Sequence, residues 1–267
     1  MLLRNPLALV ILAALFVPVE RIFWLRRQRL LRPGWRTDLI HFFVTHTLLQ
    51  LCLVLSVGLV VAAVDPLVSP RLQDAVAGQP RALQVVEALL LVEFLGYGCH
   101  RAFHRVPWLW RIHAVHHSSE QLDWLAALRV HPFDQAITRT VQFVPLYLLG
   151  FPLEIFAGAA GLVGLWAVFL HANVRFRFGP FERLLATPAF HHWHHSAEAA
   201  GRDTNFSGLF PWVDALFGTL HLPREWPRTY GTDLPVPQGY LEQLAFPLTR
   251  GPTPPPAAAS APPAPAR

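Results

Sequence analysis

The chain has 267 residues, 53% of them hydrophobic and only 15% charged, against about 25% charged in a soluble domain; this composition points away from a soluble globule and toward a membrane protein. All 22 basic residues are arginine and the formal net charge is +5, an excess that in a membrane protein marks loop orientation and not nucleic-acid affinity. Cys52 and Cys99 are the only cysteines and both fall in or beside apolar runs, which argues against a disulfide framework.

In chain order, Pro6 to Leu25 is apolar apart from Glu20 and Arg21 and reads as a first membrane helix. It is expected to be retained and not cleaved, because a single arginine precedes it and no small-residue cleavage site follows. Arg26, Arg27, Arg29, Arg32 and Arg36 come next and assign this loop to the cytoplasm. Leu39 to Val64 is long enough to cross a hydrocarbon core of about 30 Å. The segment Asp65 to Pro80 then lies on the opposite side, and Ala82 to Gly98 returns. That return run carries Glu87, read as a carboxylate at the interface, and Glu93, seven residues and two helical turns before His100. Glu93 is a candidate acceptor for the second ring nitrogen of a metal-bound histidine. Trp108, Trp110 and Trp124 suit the headgroup level.

At Arg129-Val-His131-Pro132 the X-Pro step breaks any continuing helix. Thr138 to His171, interrupted by Gly150, Pro152 and Glu154, reads as a hairpin of two helices that brings the chain back to its starting side. Gly201 to Thr219 is loop-like. Residues 251–267, mostly proline and alanine, are expected to be disordered. The fold expectation is an all-α integral membrane protein with about four transmembrane helices plus an N-terminal helix or hairpin. A cytoplasmic, histidine-rich helical region caps it.

Histidines gather at the ends of these apolar runs. His100 and His104 are four apart; His113, His116 and His117 follow H-x-x-H-H, and His191, His194 and His195 repeat that spacing. On a helix, positions i, i+3 and i+4 share one face, so each box can offer its imidazoles as one cluster within an arc of roughly 100°. Substituting His192 for His191 widens that arc to about 160°, so the register selects His191 and leaves His192 facing elsewhere. A lone histidine is usually a satisfied core residue, but that reading does not cover two copies of one spacing, each following an apolar span. Neutral imidazoles without thiolates suit iron, zinc or copper.

Together and in order, the segments His100-Arg101-Ala-Phe-His104, Trp110-Arg111-Ile-His113-Ala-Val-His116-His117, Arg129-Val-His131-Pro132, Thr187-Pro188 leading into His191-His192-Trp193-His194-His195, and Phe217-Gly218-Thr219 resemble the fatty acid hydroxylase superfamily, which includes the sterol desaturases. The resemblance spans roughly Glu93 to Thr219. It implies a four-helix membrane core in a bacterial inner membrane, with the histidine boxes facing the cytoplasm and holding two iron ions, for which zinc can substitute on purification. By correspondence the metal ligands are His100, His104, His113, His116, His117, His191, His194 and His195, with His171 of His171-Ala-Asn173 as a further one. His131, Glu93 and Asn173 are left between ligation and a supporting role. The implied division is 1–81 for the N-terminal membrane helices, 82–222 for a catalytic domain, 223–250 for a C-terminal extension and 251–267 for the tail.

The implied activity is O2-dependent hydroxylation or desaturation of a fatty acyl, sterol or related lipid, with electrons from a separate ferredoxin or cytochrome b5-type protein and no nucleic-acid partner. Two departures from the family pattern stand out. Arg175 occupies a position where a second histidine is common, and Val213, not tryptophan, precedes Asp214. The alternatives are a membrane zinc hydrolase or transporter and a non-catalytic relative that binds lipid or metal. A zinc hydrolase wants a general base such as the glutamate of H-E-x-x-H, and neither box has one.

Overall fold

The computed structural model describes residues 4–249; the tail read at 251–267 lies outside the described residues. Among those described there is no β-strand, only two isolated antiparallel bridges, Trp24 with Val174 and Ser196 with Tyr230.

Helix α1 (Arg4–Ile22) stops short of the end of its apolar run. Phe23 to Leu25 instead extend against the chain after α8, with Leu25 N–H donating to Asn173 O (3.1 Å) and Arg175 N–H to Phe23 O (2.9 Å). Helix α2 (Trp35–Ile40), a π-helical turn (His41–Thr45) and α3 (His46–Val64) then form one nearly continuous apolar stretch. After α4 (Pro70–Ala77) comes α5 (Arg81–Arg105), followed by α6 (Pro107–His117), α7 (Pro132–Leu149) and α8 (Leu153–His171). Three short helices, α9 (Pro188–His194), α10 (Pro211–Leu216) and α11 (Tyr240–Ala245), lie toward the C-terminus.

Among the described residues, three segments are long and apolar enough to span a bilayer: Trp35–Leu67, Arg81–Arg105 and Leu153–His171. Their outward faces are apolar; Val54 and Leu59 of α3 are 72% and 71% exposed. At 1.5 Å per residue, 25-residue α5 is about 37 Å long, more than a hydrocarbon core of about 30 Å. His100 and His104 sit in the last two turns at its C-terminal end.

The expected hairpin is present, and its first helix begins six residues before Thr138, at Pro132. Proline at the first helical position loses no hydrogen bond there, and His131 caps the turn by accepting from Phe133 N–H at 3.2 Å. The break between α7 and α8 falls at Gly150, whose φ of 84° favours glycine; a Cβ there would stand 2.5 Å from Gln73 Cα. Helix α7 packs on α3 and α5, while α8 packs on α5 and α9. Phe16 of α1, Val168 and Ala172 bury Trp124 in a common core, so Trp124 is interior and not a headgroup anchor.

The arginine-rich segment after α1 is also more than a loop. Arg32 is 1% exposed and bridges Asp38 and Asp123, each at 2.7 Å. Arg129 holds the other Asp38 oxygen at 2.5 Å and Ser118 Oγ at 3.1 Å. This buried ionic network ties the N-terminal segment to the loop between α6 and α7.

Candidate metal centre

Both H-x-x-H-H boxes are helical. Pro107 opens α6, while Pro188 opens α9 behind Thr187, whose Oγ1 accepts Phe190 N–H at 3.4 Å. His195 N–H donates to His191 O at 3.1 Å, so the register of the second box holds as far as its last histidine. Packing of α5, α6, α8 and α9 then gathers the histidines into two sets: His100, His104, His113, His117 and His194 in one, His116, His171, His191 and His195 in the other. Within each set the facing nitrogens all lie within 4.8 Å of one another.

This corrects the expectation that each box forms a cluster of its own. In both boxes the i and i+4 histidines, about 40° apart around the helix, stay together, while the i+3 histidine, about 100° from i+4, crosses to the other set. The first box therefore contributes two rings to the first set and one to the second; the second box does the reverse.

The second nitrogen of most rings is anchored to an acceptor that carries no proton. His100 Nδ1 donates to Phe206 O (2.8 Å), His113 Nδ1 to Asp134 Oδ2 (2.6 Å), His116 Nδ1 to Arg129 O (3.0 Å), His171 Nδ1 to Ala167 O (2.7 Å) and His194 Nδ1 to Thr204 O (2.8 Å). A neutral imidazole with its proton on Nδ1 has a bare lone pair on Nε2. Yet His116 Nε2 and His171 Nε2, each on a ring whose Nδ1 proton goes to a carbonyl, stand 3.1 Å apart. Lone pairs facing each other at that distance repel unless a cation lies between them. His191 Nε2 is 3.2 Å from His171 Nε2 and 3.1 Å from His195 Nε2. Nitrogens about 2.1 Å from a common ion with about 90° between them stand about 3.0 Å apart. His104 Nε2 is buried without a protein partner, as a donor atom awaiting a cation would be. The residues present fit two metal ions.

Burial, followed by the neighbouring imidazoles, holds His117, His191 and His195 well below the ordinary histidine range; for His116 and His194 burial is again the first cause. These five are neutral near pH 7, the form that binds metal. No carboxylate belongs to either set.

His192 lies outside both sets, with Nδ1 against Tyr230 Oη (2.7 Å) and Nε2 against Ala172 O (3.1 Å). His131 likewise stays outside, capping α7 and reaching Leu244 O at 3.1 Å. Asn173 exchanges hydrogen bonds with the backbone of Arg26. Glu93 does not reach a histidine: it accepts the N–H groups of Leu209 and Phe210, 3.0 Å at the nearest, and so fixes the loop that presents Phe206 O to His100. Arg175 is exposed and the second set has its four histidines without it. Asp214 holds the same loop, accepting Phe206 N–H (2.8 Å), Ser207 N–H (2.9 Å) and Thr219 Oγ1 (2.7 Å), a role that does not depend on whether tryptophan or Val213 precedes it.

Sequence reasoning missed Asp134 and Asp203, the latter 3.3 Å from His104 Nδ1. Asp134 had a signal: it is the one acid in the first turn of α7, three residues past His131. Asp134→Asn is expected to weaken metal binding about 10–100-fold, the usual cost of losing such a supporting acceptor; competition against a chelator would measure it, and unchanged affinity would count against the assignment.

Two cavities meet the centre. One, about 180 Å³, lies within the bundle between α5, α7 and α8 and reaches His100, His113, His116, His171 and His191. The other, about 190 Å³, opens on the far side at His104, His117 and His194, beside Trp110 and Asp203.

Residues 85–219, just over half the chain, match the family model for fatty acid hydroxylase. The chain is 38% identical over 175 residues to an ornithine lipid hydroxylase of Rhizobium tropici, covering 64% of this chain and 52% of that protein. It is 33% identical over 149 residues to the alkylglycerol monooxygenase of Homo sapiens, covering 56% and 33%. A putative Delta(7)-sterol-C5(6)-desaturase of Arabidopsis thaliana is 26% identical over 145 residues, covering 53% and 49%. The chain thus spans about half or less of the length of these relatives. No solved structure matches it.

Proposed function

The chain belongs to the fatty acid hydroxylase family, and from that premise we propose that it is a membrane-bound, di-iron, O2-dependent oxidoreductase that hydroxylates or desaturates a lipid. The observation that carries this reading is the convergence of imidazole nitrogens in two separate histidine sets, all within 4.8 Å of one another in each set, with facing Nε2 atoms as close as 3.0 and 3.1 Å. One ion would be held by His100, His104, His113, His117 and His194, the other by His116, His171, His191 and His195. When bound, iron supplies the O2 activation and electron transfer that C–H oxidation requires.

The chain's own part is to hold the rings and keep water out. Hydrogen bonds from Nδ1 to Phe206, Arg129, Ala167 and Thr204 carbonyls fix ring orientation before any metal arrives, and Asp134 does the same for His113 while adding negative charge close to the site. The bundle cavity offers the lipid a way in between α5, α7 and α8. The outer recess supports docking of a separate electron-donor protein, of ferredoxin or cytochrome b5 type, beside His104 and Trp110. The arginines after α1 favour a cytoplasmic position for this face. Five imidazoles in one set exceed the four ligands of a tetrahedral zinc site, which favours iron over a zinc hydrolase.

Purified protein is expected to hold close to two metal ions, and the iron-loaded form to consume O2 only when reductant and lipid are both present. Mass spectrometry of the lipid separates gain of an oxygen atom from loss of two hydrogens. About one metal per chain, with zinc-dependent hydrolysis and no oxidised lipid, would overturn the reading.

A further inference from the structure

We propose that Arg139 of α7 is the binding site for the anionic group of the lipid, inside the bundle cavity that reaches both histidine sets; the inference rests on the lipid-oxidation reading above. Gln135, Thr138, Arg139 and Gln142 fall at i, i+3, i+4 and i+7, one face of a helix, and all four line that cavity. The stripe interrupts a helix otherwise rich in Ile, Val, Phe and Leu. A polar stripe on such a helix costs stability unless it has something to bind.

Two members of the stripe, Gln142 and Thr138, already have protein partners. Gln142 Nε2 donates to Val92 O on α5 at 3.1 Å. Gly96 makes room for that amide, since a Cβ there would stand 2.8 Å from Gln142 Nε2. Gln142 Oε1 in turn accepts from an Arg139 amino group at 3.2 Å, which orients the guanidinium. Thr138 Oγ1 is 3.7 Å from Cys99 Sγ.

Arg139 differs from its neighbours in lacking a counter-charge: among the described residues no carboxylate lies within 4.0 Å of it. The other charged groups lining the cavity are Glu93 and Asp134, the first engaged by the Leu209 and Phe210 N–H groups and the second by His113. A guanidinium keeps its charge at any physiological pH and presents five N–H donors in a planar fork suited to carboxylate or phosphate. Among the described residues, its one side-chain hydrogen bond goes to a neutral amide. Ionisable side chains in the interior of a membrane bundle pair with one another or serve a ligand; among the described residues Asp134 acts on Arg139 only from a distance and no carboxylate touches it.

The position also sets where the lipid is oxidised. Asp134, which touches His113, and Arg139 are five residues apart, about 7.5 Å along the helix axis. A lipid anchored by its anionic group at Arg139 therefore presents to the centre a carbon near its polar end, not one far down an acyl chain.

The test uses metal-loaded protein in neutral detergent and two matched lipid pairs: an N-acyl amino acid against its methyl ester, and phosphatidic acid against diacylglycerol. Affinity is read from the ligand-dependent rise in unfolding temperature, with metal counted in the same samples. Wild-type protein is expected to bind the anionic member of at least one pair about tenfold or more tightly than the neutral one, about 1.4 kcal/mol by the standard conversion. R139Q should lose that ratio at unchanged metal content, and R139K should keep part of it. Preference confined to one pair identifies the group as carboxylate or phosphate. Equal binding of charged and neutral lipids by wild-type protein, or an unchanged ratio in R139Q, would overturn the proposal. Either result would leave two metals and lipid oxidation standing, so the failure of this inference is separable from failure of the parent reading.

Discussion

Replacing His191 by alanine is expected to abolish lipid oxidation and empty the second metal position, while replacing its neighbour His192 leaves both metals in place. His191 Nε2 lies within 3.2 Å of two other rings of its set, so its loss leaves three imidazoles where four converge. Loss of a supporting hydrogen bond at a metal site costs about 10–100-fold in affinity or activity, and loss of a ligand should exceed that. His192 is fully buried and bonded at both nitrogens. His192→Ala therefore leaves the Tyr230 hydroxyl and the Ala172 carbonyl without their partner, at about 1–3 kcal/mol of stability, and touches no ligand. Metal per chain, measured on folded protein of each variant, distinguishes the two. Equal metal loss in both would show that the helical register does not select the ligands.

The second large effect lies far from the histidine boxes in the sequence. Asp38→Asn is expected to destabilise the protein by about 3–5 kcal/mol, because it leaves two buried guanidiniums short of their shared counter-ion. Arg129 sits at the junction: its side chain is fixed by Asp38 and Ser118, and its carbonyl fixes His116. The same substitution should therefore loosen the second metal position by about 10-fold or more. Chemical unfolding in detergent reads the first consequence and chelator competition the second. Wild-type values in both would mean that the network is idle.

The histidine boxes were legible because residue type and local spacing carry the signal, and both survive any way the helices pack. Their division between two sets was not, since whether His116 turns to His113 or to His171 depends on how α6 meets α8. The acceptors at Phe206, Thr204, Arg129 and Ala167 were invisible for another reason: a backbone carbonyl looks the same under every side chain. Arg32 misled because charge density marks a loop, and nothing local reveals that Asp123 is to come and surround it. The start of α7 was placed late because its first turn is polar toward the site, so an apolar run is a poor guide to a helix end that serves a metal centre.

The ionic network also constrains the order in which the protein can be assembled. Arg32 and Asp38 leave the ribosome 91 residues ahead of Asp123 and Arg129, respectively. At about 5–20 residues per second, that is a wait of roughly 5–20 s. During it Arg32 has only half of its acidic pairing and Asp38 lacks Arg129, so the N-terminal segment cannot settle into its buried position. The last histidines of either set, His194 and His195, come some 65 residues later still. Neither proposed metal position can therefore be complete before these histidines emerge, and the first must also await Phe206, whose carbonyl holds His100. A defect at Asp38 should surface as nascent chains removed by quality control before they hold any metal.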